Sequence, residues 1–301
     1  MEGIKNQRIA LIDGDELVYR TGFASQHTHY EVYEDEEASD WVARFPDKEK
    51  AIEWINGQEG MIIKQFIEVD EVDEAYDKLN ALFRTIMKDT GSDKYRIFLT
   101  GDNNFRFQLA TIRPYKDRPL SFRPAHYMNL KAILLEEYNA EVIDNMEADD
   151  ALSIAQYDSF RETGDWTRVN TIICTQDKDL NMVPGPRYSA RDRKIRFISP
   201  KEARHFFFCQ LLSGDKTDSV PGIYRVGLAT ADKIFTKAKA KTEERYYNIA
   251  LDMYCKALKN PKCKAKLPTS KSGKEVIEEI GNLLWMKRSI DDVWTPDVKF
   301  I

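Results

Sequence analysis

Apolar positions along the chain fall into short runs and longer periodic stretches. The first run, Arg8 to Ile12, reads as a strand that stops at Asp13-Gly14-Asp15, and Leu17 and Val18 then begin a helical pattern. From Val69, the positions Val72, Tyr76, Leu79, Phe83 and Ile86 advance in alternating steps of three and four, with Gly91 placed as a C-terminal cap. A long helix is expected there. Three further buried strands follow: Tyr95–Leu99, Glu141–Ile143 and Thr171–Cys174. Each runs into an acidic turn, carrying Asp102, Glu147-Ala148-Asp149-Asp150 and Gln176-Asp177-Lys178-Asp179 respectively. Arg187 to Ser199 reads as a hairpin, and residues 201–289 as largely helical around a turn at Pro221-Gly222. Residues 26–60 are acidic, aromatic and without a clear period; they read as an irregular insertion.

Strands alternating with helices predict an α/β fold, a mostly parallel twisted sheet flanked by helices. Such sheets place their sites beyond the carboxyl ends of the strands. All four acidic motifs fall at that edge. The expected organisation is an α/β core over residues 1–200, including a basic segment at 103–135, followed by a helical region at 201–301. With 301 residues, 42% of them hydrophobic and 32% charged, the chain can bury a sizeable core beneath an ionised surface. No apolar run approaches the roughly 18 residues that span a bilayer, and the first thirty residues do not read as a signal peptide. A soluble cytoplasmic protein without a membrane partner is expected.

Cys174, Cys209, Cys255 and Cys263 lack zinc-site spacing, and His27 and His29 read as solvated. The run Phe206 to Phe208 reads as core. The net charge of −5 argues against a nucleic-acid partner, but the basic residues are concentrated. They cluster at Arg106, Arg113, Lys116, Arg118 and Arg123, and again from Lys256 to Lys274, so a split field is expected.

With the sheet as read, Asp13, Asp102, Glu147, Asp149, Asp150, Asp177 and Asp179 converge, joined by Asp215 and Asp218. Two like charges about 4 Å apart repel by on the order of 4 kcal/mol at an effective dielectric of 20. Either several of these acids stay protonated or divalent cations lie between them. Donors that are all oxygen favour Mg²⁺, with Mn²⁺ able to substitute, and this many carboxylates can hold two ions, as phosphodiester hydrolysis requires.

The motifs Ile12-Asp13-Gly14-Asp15, Tyr115-Lys116, Glu147-Ala148-Asp149-Asp150, Asp177-Lys178-Asp179 and Gly214 to Gly222 stand in the order found in structure-specific 5′ nucleases. The chain resembles that family of flap endonucleases and 5′-3′ exonucleases, and its bacteriophage branch in particular. The resemblance implies a PIN-like core, a helical arch at 103–135 and a helix-turn-helix element at 214–235. It implies that Asp13, Asp102, Glu147 and Asp149 hold a first metal, and that Asp150, Asp177, Asp179 and Asp218 hold or approach a second. Lys116 and Arg118 would face the scissile phosphate, and Arg106, Arg113, Tyr115, Gly222, Arg225 and Gly227 would contact nucleic acid. The family places a K⁺ site at the helix-turn-helix element. Here only Gly222 and Gly227 remain of its glycine run, and Arg225 is expected to contact phosphate directly.

The implied substrates are duplex DNA with 5′ ends or flaps and RNA–DNA hybrids (an RNase H activity), in phage-type DNA replication or degradation, with a single-strand-binding protein as helper. A haloacid-dehalogenase-like phosphatase, with Asp13 as nucleophile and Asp15 as its acid-base partner, is the alternative enzyme. A catalytically silent DNA-binding protein is the alternative outside enzymology.

Overall fold

The computed structural model describes residues 7–117, 122–264, 267 and 269–300, and the chain groups into two compact units. The first comprises residues 1–16, 84–121 and 138–301, and the second residues 17–83 and 122–137. In chain order, β1 (Ile9–Asp13) leads into α1 (Gly14–Ala24), followed by β2 (Gln26–Tyr33), β3 (Ala43–Phe45), α2 (Lys48–Ile55), β4 (Ile62–Val69) and α3 (Val72–Thr90). Then come β5 (Lys94–Thr100), the single turn α4 (Arg106–Leu109), α5 (Tyr127–Glu136), β6 (Glu141–Ile143), α6 (Ala148–Thr163) and β7 (Thr171–Cys174). A 3₁₀ turn at Lys178–Met182 precedes the hairpin β8 (Gly185–Ser189) and β9 (Lys194–Ile198). The helices α7 (Pro200–Ser213), α8 (Leu228–Lys237), α9 (Glu243–Lys259), α10 (Pro261–Lys264) and α11 (Gly273–Leu284) complete the chain.

The first unit is built on a six-stranded sheet in the order β6-β5-β1-β7-β8-β9. The pairings from β6 through β8 are parallel, and only β9 runs antiparallel. Its central strands are apolar and covered on both faces: Ala10, Leu11, Ile12, Ile97, Leu99 and Ile172 are all buried. The order reverses at β1, since the chain reaches β5 and β6 on one side before returning to β7 on the other. That reversal opens a crevice at the carboxyl ends of the strands, where ligands of such sheets bind. Residues after 200 belong to the same unit, and Phe207 and Phe208 lie in its core, as expected from the sequence.

The second unit corrects the reading of residues 26–60. They form β2, β3 and α2, and with β4 build an antiparallel three-stranded sheet in the order β3-β2-β4. The strand pattern was disguised because a charged residue points inward. Glu31 is buried, and Arg44 reaches it with Nε at 3.0 Å and Nη2 at 2.7 Å, while the Tyr33 hydroxyl donates to it at 2.7 Å. His29 is likewise not solvated: it lies 3.4 Å from Glu31 and stacks on Phe66 at 5.6 Å. His27 is exposed and pairs with Asp70 at 2.9 Å.

Between α7 and α8, residues 214–227 make a tight loop closed by the bridge Asp215–Val220. Gly222 is required there by packing. A Cβ at this position would stand 2.0 Å from the Ser213 carbonyl oxygen and 2.5 Å from the Gly214 nitrogen. Gly222→Ala is therefore expected to lower stability by on the order of 1–3 kcal/mol in urea unfolding, as overpacked sites do. An unchanged midpoint would rule out this packing role.

Candidate metal centre and nucleic-acid interface

Each strand end delivers its acid to the crevice. Asp13 closes β1, accepting the Glu16 backbone N–H at 2.9 Å and the Thr175 hydroxyl at 3.0 Å. Asp15 instead accepts the Thr100 N–H at 3.0 Å, tying α1 to the end of β5. Glu147 is the N-cap of α6, which puts Asp149 in that helix's first turn, where the helix dipole favours negative charge. Asp177 caps the 3₁₀ turn by accepting the Asp179 N–H at 2.7 Å.

The decisive group is Asp149. Its Oδ1 is buried and has no hydrogen-bond partner among the described residues. Burial holds its carboxyl well above the usual range, and the negative charges of Asp177, Asp13, Glu147 and Asp179 push it further the same way. Asp13 is raised to about 7, first by burial and then by Glu16 and Asp15. Asp179 is raised by burial and by Asp177, against the pull of Lys178. Five carboxylates thus press on one another, and they fit a hard divalent cation: every donor is oxygen, and one buried oxygen lacks a partner. Among the described residues no three acidic, His or Cys side chains close to ligating geometry by themselves. Several of the acids are turned toward protein cations instead.

Those cations form a second ring. Lys116, with φ of +52°, pairs with Glu147 and lies 3.9 Å from Asp218. Burial alone would lower its pKa, but Glu147 and Asp218 outweigh this and raise it. The Tyr115 hydroxyl lies 3.0 Å from both Glu147 Oε2 and Asp218 Oδ2. Asp218 is raised by burial and by Glu147, with Lys116 opposing. Lys178 bridges Asp179 at 2.9 Å and Asp215. Burial would raise Asp215, yet Lys178 and the N–H groups of Thr217 and Asp218 hold it below the ordinary value.

Several expected site residues stand elsewhere. Asp150 is fully buried and points away from the crevice. Its carboxylate receives Arg106 at 2.5 and 2.9 Å, the Lys287 N–H at 3.1 Å and the Glu147 N–H at 3.2 Å, four donors that occupy its acceptor sites and leave none for a metal. Arg106 is correspondingly no nucleic-acid contact: it is 0% exposed and also donates to the carbonyls of Leu283 and Trp285. Tyr115 is buried as a clamp between two carboxylates, and Gly222 is packed against Ser213. Asp102 is exposed in the turn after β5, outside the hydrogen-bonded set. Arg113 is half-buried, Gly227 is the exposed N-cap of α8, and Arg225 is exposed beside the Tyr224 ring. Arg118 and Lys266 lie outside the described residues. In the lysine-rich stretch, Lys256, Lys271 and Lys274 pair with Asp252, Glu279 and Glu278.

Sequence reasoning missed Glu16, Thr175, Lys178 and Gln210. Glu16 accepts the Gln176 backbone N–H at 2.6 Å and joins the start of α1 to the end of β7. Gln210 donates to Asp179 at 2.5 Å. Glu16 carried a signal, three residues after Asp13 in the first turn of α1.

Solved structures show a similar chain path. The bacteriophage T5 D15 protein, co-crystallised with metal ions, matches at 12% identity with a TM-score of 0.53, over 92% of this chain and 89% of that one. The fold is that of the T5 5′-exonuclease. A structure of that exonuclease with zinc ions bound matches at 12% identity and a TM-score of 0.50, with the same coverage. No family model matches the sequence, and no curated protein does. Among the described residues no helix is long and apolar enough to cross a membrane.

Two expectations follow from the electrostatics. Arg106→Leu leaves Asp150 buried and uncompensated, so it is expected to cost about 3–5 kcal/mol in chemical denaturation. Arg106→Met combined with Asp150→Leu should recover most of that loss. An Arg106→Leu protein of unchanged stability would remove the pair's structural role. The second expectation concerns pH. The folded chain holds a proton on Asp13 up to about pH 7, whereas the unfolded chain releases it near 3.8. Stability of the metal-free protein is present in full at low pH and is lost as pH rises through that window, by on the order of 2–4 kcal/mol. Asp13→Asn should flatten the thermal-melt profile measured in EDTA.

Proposed function

We propose that this protein is a divalent-metal-dependent nuclease that hydrolyses phosphodiesters at or near the 5′ ends of duplex DNA. The observation that carries the proposal is the partnerless, buried Asp149 oxygen among Asp13, Glu147, Asp177 and Asp179, at the switch point of a sheet with the T5 exonuclease fold. Solved structures of that fold carry bound metal ions. Mg²⁺ is the natural ion for an all-oxygen donor set, with Mn²⁺ as substitute.

In this reading Asp13, Glu147 and Asp149, with Asp102 from the adjoining turn, hold one ion, and Asp177, Asp179 and Asp218 a second. When bound, such a pair supplies an activated water and stabilises the leaving oxygen. Lys116 is pre-positioned at the rim by Glu147 and Asp218, and its ammonium neutralises charge building on the scissile phosphate. Tyr115 keeps Glu147 and Asp218 at a fixed separation. Arg113, Arg225 and the amide groups at Gly227 supply phosphate contacts on the flanking duplex, and such contacts position the substrate without reading sequence. Terminal release, flap cutting and cleavage of RNA in hybrids are three outputs of the same chemistry.

The test is a gel assay on 5′-labelled blunt duplex, 5′-flap and RNA–DNA hybrid substrates, with Mg²⁺ or with EDTA. Cutting is expected only with metal, only near 5′ ends, and to fall about 10²–10³-fold in Lys116→Ala, as for a lost oxyanion donor. Glu147→Gln with Asp177→Asn should abolish it. Cutting that persists in EDTA or in the double variant would refute the mechanism, and indifference to a blocked 5′ end would refute the polarity.

A further inference from the structure

On the same unit as the carboxylate crevice, but built from other residues, a cavity of about 770 Å³ opens between α7, α8 and the start of α9. That volume is in the range of small-molecule sites. Its walls are apolar and ring-rich: Ile198 and Phe206 are partly buried, and Phe235 and Tyr246 are buried. Its two acids are already committed. Glu202 closes the capping box of α7, accepting the Ser199 N–H at 2.8 Å, and Asp232 lies 2.8 Å from His205 Nε2. The other nitrogen of His205 is 2.7 Å from the Tyr246 hydroxyl, so the imidazole is held from both sides and its edge is fixed.

Three lysines also line the cavity, Lys201, Lys239 and Lys241, and none of them forms an ion pair among the described residues. Flat apolar walls with uncommitted ammonium groups are complementary to a flat apolar body carrying negative charge. We propose that this cavity is a binding site for a small aromatic anion, an aromatic ring system bearing a phosphate or carboxylate, with the ring against Phe206 and the anion at Lys239 and Lys241. The site binds rather than reacts. Cys209 lines it, 3.5 Å from His205 Nε2, but burial pushes its thiol up to about 12.

Isothermal titration calorimetry on the full chain in EDTA tests this apart from any nuclease activity. Adenosine 5′-monophosphate and indole-3-acetate are the two anionic probes, and they separate a nucleotide phosphate from an aromatic carboxylate; adenosine is the neutral control. One-to-one binding of at least one anion is expected, with adenosine about tenfold weaker than its phosphate. Lys239→Ala with Lys241→Ala, both at exposed positions, should weaken the anion about tenfold and leave adenosine unchanged. Ala229→Trp, which fills the cavity from the first turn of α8, should abolish binding, with circular dichroism confirming the fold. No binding of either anion, equal affinity for adenosine, or full binding in either variant would overturn the proposal.

Discussion

The structure is organised around negative charge withdrawn from water without enough positive charge to meet it. Burying a carboxylate is tolerated when it is paired, hydrogen-bonded or protonated. Asp150 takes the first route through Arg106, and Asp215 takes it through Lys178 and backbone amides. Asp13 and Asp149 take the last, holding their protons far above the usual carboxylate range. The fold tolerates these two because the sheet around them is deeply apolar and well packed. The crevice is a place where stability is given up locally so that something positively charged can restore it.

This view sorts the acids by role better than proximity does. Glu147, Asp149 and Asp150 are neighbours in sequence at the start of one helix, yet their surroundings are opposite. Asp150 faces the interior and an arginine, Asp149 faces the crevice with an oxygen unmatched, and Glu147 caps the helix while meeting Lys116 and Tyr115. A helix places successive side chains about 100° apart, so acids at positions 147, 149 and 150 cannot serve one ion equally. The lysines at the rim act as internal counter-ions, Lys116 to Glu147 and Lys178 to Asp179 and Asp215.

Much of this was legible in the sequence. The strands of the parallel sheet announce themselves as apolar runs ending in acids, and α3 is marked by its three-and-four spacing with Gly91 closing it at φ +61°. The convergence of Asp13, Glu147, Asp149, Asp177 and Asp179 followed from sheet topology. What could not be read were the partners chosen across long separations. Arg106 looked like part of a basic surface because neither its burial nor its contact with Asp150 leaves a local trace. The second unit was missed for a related reason: an inward-facing Glu31 breaks the alternation by which strands are recognised, and Tyr33 with Arg44, thirteen residues on, makes that glutamate acceptable.

Arg106 also sets an order of events. Its guanidinium is caged by carbonyls of Leu283 and Trp285, at the very end of α11, and the amide of Lys287 completes the shell of Asp150. The first turn of α6 therefore cannot settle until the segment through Lys287, 137 positions beyond Asp150, has folded against it. A chain in which that segment is undocked has its acids but not the frame that aims them.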